Sequence, residues 1–335
     1  MKKYKSNDYI FVTTYIRCKE KYLLTREKAE RMLDSKTPDD AMKVLYEMNY
    51  GEGLDDVSAA DFEKLLSLEL KKTYEMVMSL APEQDYFTHF LYPADYHNVK
   101  VLLKSEFSGG TSDDILMDVG SVATATLTEL VQTRKYFGMR EEMAKDIQDA
   151  VETFGTTRDP QIIDLILDKA CYRDINLEVA KLKNDFITGY IELKIDVANL
   201  KSFIRAKEMK KPWDFFSKIY IDGGKIPERL FINNYDETPE QFSDRLEAYD
   251  LSTLMQESSQ MLKDTGRFTV LEKLCDNLLV EYMKRSKYVA FGIEPLVGYL
   301  VGKENEVKAV RIIMAGKLAG ISADLIRERM RETYV

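Results

Sequence analysis

Residues 292–320, GIEPLVGYLVGKENEVKAVRIIMAGKLAG, read as one long helix with two apolar ends and a middle turn that is polar on every side. That turn is Lys303-Glu304-Asn305-Glu306. A helix buried along its whole length would not accept such a turn, and a surface helix would not need the apolar runs around it. Glu304 and Lys308 stand four apart in the favourable order, so part of the belt is able to pair with itself.

The same device occurs elsewhere in the chain. DYHNVKVLLKSEF (95–107) matches DVANLKSFIRAKE (196–208) at Asp, Asn, a branched apolar residue, Lys and an apolar-apolar-basic triplet. NEVKAVRIIMAGK (305–317) follows more loosely, with Glu306 in place of Asn98 and Asn199. The anchors recur about every hundred residues, too long a period for common helical solenoids. A glycine break and a fresh helix start follow each: GGTSDDIL (109–116), GGKIPERL (223–230) and GISADLI (320–326). Ser112 and Ser322 suit N-caps, and Pro227 suits a first turn. Three units of this size are expected to close with pseudo-threefold symmetry, their polar belts facing a shared axis or groove. The corresponding domains are 1–108, 109–212 and 213–335.

Helical periodicity prevails elsewhere, and no strand alternation of useful length appears. DPQIIDLILDKACY opens with Asp159 as cap and Pro160 as first helical residue, then places Ile162, Ile163, Ile166 and Leu167 on one stripe. TPEQFSDRLEAYDL repeats the formula with Thr238 and Pro239, LLTREKAERML (23–33) has the look of a capped start, and Gly51 supplies a stop after Met48. The fold class is all-α. Aromatic clusters such as DYFTHFLYPADY (85–96) are expected to pack between helices.

Charge narrows the function classes. The net charge of −9 and pI near 5.1 argue against a nucleic-acid partner. Residues 1–31 and 281–335 are net basic while the stretch between them is strongly acidic, an asymmetry that fits docking surfaces. Cys18, Cys171 and Cys275 have no metal-ligand spacing and suit a reduced, cytosolic chain. No apolar run is long enough to span a membrane, so the chain is expected to be soluble and monomeric by itself.

Catalytic chemistry is sparse. His89 and His97 are the only histidines, too far apart on one helix to share a metal. Gly302-Lys303 and Gly316-Lys317 lack the following Ser or Thr, and Val297 and Arg311 stand where a phosphate loop needs glycine. Asp113, Asp114 and Asp118 resemble an acidic Mg²⁺ cluster for a diphosphate substrate; placed after Gly-Gly-Thr-Ser, they fit helix-start chemistry better. No catalytic, cofactor-binding or metal residue is assigned, and no small-molecule substrate is expected.

PADYHNVKVLLKSEF, the long helix of residues 292–320 and the closing ISADLIRERMRE together resemble the C subunit of bacterial and archaeal V-type or A-type rotary ATPases, related to the eukaryotic d subunit. The most specific part is Pro295, Tyr299, Leu300, Lys303, Glu304 and Glu306. The resemblance implies a funnel of three similar helical domains. It implies a non-catalytic rotor adaptor, a socket that transmits torque between the D- and F-type central-stalk subunits and the membrane proteolipid ring, moving H⁺ or Na⁺. The chain would then be peripheral, on the cytoplasmic face of the membrane. Asn98, Lys100, Asn199, Lys201, Lys303, Glu304, Glu306 and Lys308 are the candidate partner-facing residues, on helices that look into the funnel at the waist. A helical scaffold of another assembly and an all-α Mg²⁺-dependent diphosphate enzyme are the alternatives.

Overall fold

The computed structural model describes residues 6–51, 57–110 and 115–335, and every regular element among them is helical. The chain divides into two compact units. One combines residues 1–84 with 246–335, and the other is the continuous stretch 85–245. Both sequence-derived boundaries, at 108/109 and 212/213, fall inside the continuous unit.

The discontinuous unit holds α1 (Ile10–Glu20), α2 (Arg26–Asp34), α3 (Pro38–Glu47) and α4 (Phe62–Leu80) from its first segment. Its second segment supplies α13 (Ser252–Thr265), α14 (Thr269–Lys284), α15 (Ile293–Leu318) and α16 (Ala323–Arg329). Local chemistry sets the starts. The Thr25 hydroxyl accepts the Lys28 N–H at 3.3 Å, and Thr37 accepts that of Asp40 at 3.1 Å, ahead of Pro38. The stop after α3 comes earlier than Gly51: Asn49 takes the left-handed conformation (φ 65°) and Tyr50 N–H reaches back to the Leu45 carbonyl at 3.1 Å. One core joins the two segments, with Met32, Leu45 and Leu65 packed against Val310, Ile313 and Met314 of α15.

The continuous unit runs α5 (Thr88–Ser108), α6 (Thr124–Thr133), α7 (Glu141–Thr157), α8 (Gln161–Leu182), α9 (Asp185–Glu208), α10 (Trp213–Ile219), α11 (Glu228–Asn233) and α12 (Pro239–Arg245). The Asp159 carboxylate accepts the Gln161 N–H at 2.9 Å, so it caps α8 from one residue farther out than the sequence suggests. Thr238 and Gln241 form a reciprocal capping box at 3.3 and 3.0 Å before α12. α5 and α7 pack on α8. The expected aromatic packing is present: Tyr96 donates to Asp174 at 2.8 Å, and Arg140 lies 3.5 Å over the Tyr92 ring. A second knot gathers Phe203, Phe216, Phe231 and Phe242, with ring centroids 4.6–5.6 Å apart.

The glycine breaks differ among themselves. α16 begins after Ser322, which holds the N-cap position without a side-chain cap hydrogen bond, and α11 begins one residue after Pro227, which the sequence places in the first turn. After Gly110, Ser112 lies outside the described residues, and the next α-helix begins only at Thr124.

Candidate functional site

The repeated anchors turn inward. On α5 the Asn98 amide grips a backbone peptide from both sides: its Nδ2 donates to the Met117 carbonyl and its Oδ1 accepts the Met117 N–H, both at 2.8 Å. On α9, Asn199 grips Ile221 in the same way at 2.8 and 2.9 Å. Three residues earlier on each helix, Asp95 accepts the Val122 N–H at 3.1 Å and Asp196 accepts the Ile226 N–H at 2.9 Å. A glycine lets each loop approach: a Cβ on Gly120 or Gly224 would stand 2.2 Å from the Asp95 or Asp196 carboxylate. Burial pushes both carboxyls above the usual range, and the donated backbone hydrogen bonds pull them back.

The third anchor performs the same task on a distant partner. Glu306 of α15 accepts the Leu24 N–H, fixing the loop that leads into α2. Asn305 donates to the Glu332 carbonyl at 2.8 Å. The sequence expectation that these belts face a cavity is therefore corrected for Asn98, Asn199 and Glu306. All three are buried and bonded to the chain's own backbone. Asn98 and Asn199 belong to the continuous unit, and Glu306 to the other.

Lys303 is buried as well, although it lines a small cavity. With 2% of its surface exposed, it donates to Glu306 at 2.7 Å and Glu69 at 3.3 Å, and its ammonium lies 4.9 Å from the Tyr50 ring centre. Burial alone would lower its pKa, but Glu306, Tyr299 and Glu69 outweigh it and hold the pKa above the usual lysine value. Tyr50 adds a 2.5 Å hydrogen bond to Glu306. Glu304 takes the Tyr74 hydroxyl instead of pairing with Lys308. The polar turn is thus satisfied inside the protein, by side chains from α4 and from just beyond α3 and by the backbone of Leu24 and Glu332.

The outward members are the other three lysines. Lys308 is exposed, and Lys100 and Lys201 are partly so. Lys100 spans from α5 to Asp168 of α8 at 2.6 Å. Asp113 and Asp114 lie outside the described residues, and Asp118 is exposed. No cluster of His, Cys, Asp or Glu suited to a metal occurs among the described residues.

Above the Lys303 cluster the discontinuous unit opens to solvent. Two cavities of about 480 and 210 Å³ share a wall formed by Tyr15, Lys19, Tyr22 and Asn49. Tyr46, Tyr50 and Cys18 line the larger; Glu69, Lys72, Tyr299 and Lys303 line the smaller. Tyr15, Tyr22 and Tyr46 are exposed, and Lys19 lies 5.5 Å over the Tyr15 ring. Rigid tyrosines beside cations form a surface suited to a protein partner. Burial pushes the Tyr299 hydroxyl up to about 12, so it serves as a neutral wall. Apart from Lys303 and Tyr299, the residues of this groove escaped the sequence reading, because the lining comes from four separate segments. The net basic N-terminus and the polar turn at Lys303 were the signals pointing there.

Comparison with known proteins follows the whole chain. The sequence model of the ATP synthase (C/AC39) subunit family matches residues 12–329. The C subunit of the V-type sodium ATPase of Enterococcus hirae is 24% identical over 327 residues, covering 98% of this chain and 99% of that protein. The C subunit of the A-type ATP synthase of Methanocaldococcus jannaschii is 22% identical, covering 95% and 85%. That of Methanosarcina mazei is 26% identical, covering 98% and 94%.

Proposed function

The chain belongs to the ATP synthase (C/AC39) subunit family, and from that premise we propose that it is a non-catalytic rotor adaptor of a V-type or A-type ATPase. In this reading it is a socket that joins the D- and F-type central-stalk subunits to the proteolipid ring and transmits torque for H⁺ or Na⁺ transport. It works as a peripheral protein on the cytoplasmic face of the membrane, and its three repeated helix-and-loop clamps belong to three similar domains around a funnel. None of the helices among the described residues is long and apolar enough to cross a membrane, which fits an adaptor held by partners.

The observation that carries the reading is the open groove of Tyr15, Lys19, Tyr22 and Tyr46 over a preorganised ionic floor. Its walls are held by core helices, so a partner would meet a surface that needs little reordering. The groove serves the stalk, while Lys100, Lys201 and Lys308 add weak contacts of about 0.2–1 kcal/mol each.

The test is membrane-retained ATPase activity and rotor co-purification in the reassembled complex. Lys19→Glu combined with Tyr22→Ala is expected to release the soluble ATPase while leaving the thermal melt of the purified chain unchanged. Lys308→Glu alone should barely alter assembly, and reversal of Lys100, Lys201 and Lys308 together should weaken it. Full retention in the groove variant would sink the assignment of the groove to the stalk.

A further inference from the structure

The last residue of α14 and the segment that joins it to α15, KRSKYVAFG (284–292), contain three cations and no carboxylate, and the first of them, Lys284, is paired with Glu281 and with Glu332 at 3.8 Å. Its backbone is fixed. The Arg17 guanidinium donates to the carbonyls of Ser286, Lys287 and Val289 at 3.0, 3.2 and 3.2 Å, on both sides of Tyr288. The buried Ser286 hydroxyl meets that of Tyr334 at 2.8 Å, and Lys287 lies 4.8 Å over the Tyr334 ring. From this rigid tip Tyr288 projects with 91% of its surface exposed, beside Phe291 at 43%. Arg285 is exposed, and its guanidinium lies 4.9 Å over the Tyr282 ring. The tip therefore presents two aromatic rings and an available guanidinium on an inflexible support.

We propose that this tip contacts an anionic lipid surface, with Tyr288 and Phe291 seated at the level of the headgroups and Arg285 meeting their phosphates or carboxylates. Tyrosine is favoured where one end of the ring is wet and the other apolar, which is the condition at a membrane interface. Cations beside it gain from the negative leaflet potential, by about fivefold in binding for each Lys or Arg near the surface. The tip carries no Asp or Glu of its own, and the nearby Glu281 and Glu332 are paired with Lys284, which limits the repulsion that an anionic surface would impose. A loop that had to fold on contact would lose affinity to ordering, and the Arg17 clamp avoids that loss. The proposal rests on the reading of the chain as a peripheral membrane protein only for its biological setting; the contact itself follows from the tip.

The test uses the full chain with Trp213→Phe and Tyr288→Trp, so that one indole reports from the tip. Vesicles of phosphatidylcholine with phosphatidylserine are expected to shift its emission to the blue, and brominated acyl chains to quench it. Pure phosphatidylcholine vesicles should do neither. In sedimentation, Arg285→Ser should reduce binding of the otherwise unaltered chain to anionic vesicles about fivefold, and Tyr288→Ser with Phe291→Ser should abolish it. No blue shift, or vesicle binding indifferent to these changes, overturns the proposal. So does a result in which the tip variants lose rotor proteins from the complex but bind vesicles as before, since the tip then serves a protein. Lipid binding and groove-dependent assembly are read separately, so either can fail alone.

Discussion

His89 lies in the first turn of α5, 1% exposed, its ring 4.2 Å from that of Phe90, and neither ring nitrogen has a hydrogen-bond partner among the described residues. Burial, helped by the nearby Lys194, lowers its pKa from 6.5 to about 3. The positive end of the helix acts in the same direction. An unfolded chain takes up this proton near pH 6.5 while the folded one resists until about pH 3. Across that interval the unfolded state binds more protons, so stability is complete above pH 6.5 and falls as the pH drops. By pH 4.5 the loss is about 2–3 kcal/mol. His89→Leu should keep the pH 7 urea midpoint within a small margin and flatten its decline between pH 6.5 and 4.5; an equally steep decline would show that other groups govern it. Lys303 teaches a related lesson. Its polarity was legible in the sequence, but its burial was not, because Glu69 and Tyr50 lie far away along the chain. Sequence spacing offers Glu306 as one counter-charge, and only the fold adds Glu69 and the burial.

At the level of elements, the Asp–Asn pairs of α5 and α9 are splints that hold irregular loops against regular helices. The sequence repeat found them correctly as equivalent positions and misjudged which way they face. A polar residue recurring on an apolar helix suits a cavity and a backbone clamp equally well from periodicity alone. What distinguishes them is a glycine that allows the loop to approach, here Gly120 and Gly224; Gly224 reads in sequence as a mere break, and Gly120 lies beyond the break after α5. Loss of a clamp leaves a buried N–H and a buried carbonyl without partners. Asn199→Ala is therefore expected to cost roughly 2–4 kcal/mol. Amide exchange at Ile221 should accelerate far more than at Met117, and Asn98→Ala should give the reverse pattern. Equal acceleration at both sites would mean that the two clamps are not independent. The helix caps were the most legible features, since Thr238 with Pro239 and the capped start at Thr25 act within four residues of sequence.

For the whole molecule, the all-helical class was readable from periodicity, whereas the pairing of residues 1–84 with 246–335 was not, because no local pattern records contacts between segments so far apart. The core of that unit needs Met32, Leu45 and Leu65 together with Val310, Ile313 and Met314. The continuous unit has no such dependence. A fragment of residues 85–245 should give a helical circular dichroism spectrum with a cooperative melt, while residues 1–84 alone should give little of either. A cooperative melt from the shorter fragment would show that α1 to α4 are self-sufficient. The consequence is temporal. During synthesis the first segment leaves the ribosome long before its complement exists, and the middle of the chain folds while the start still waits. The groove at α1, α3, α4 and α15 cannot take shape until translation has passed α15. A prematurely terminated chain therefore cannot present the finished groove, whatever its first segment has already made.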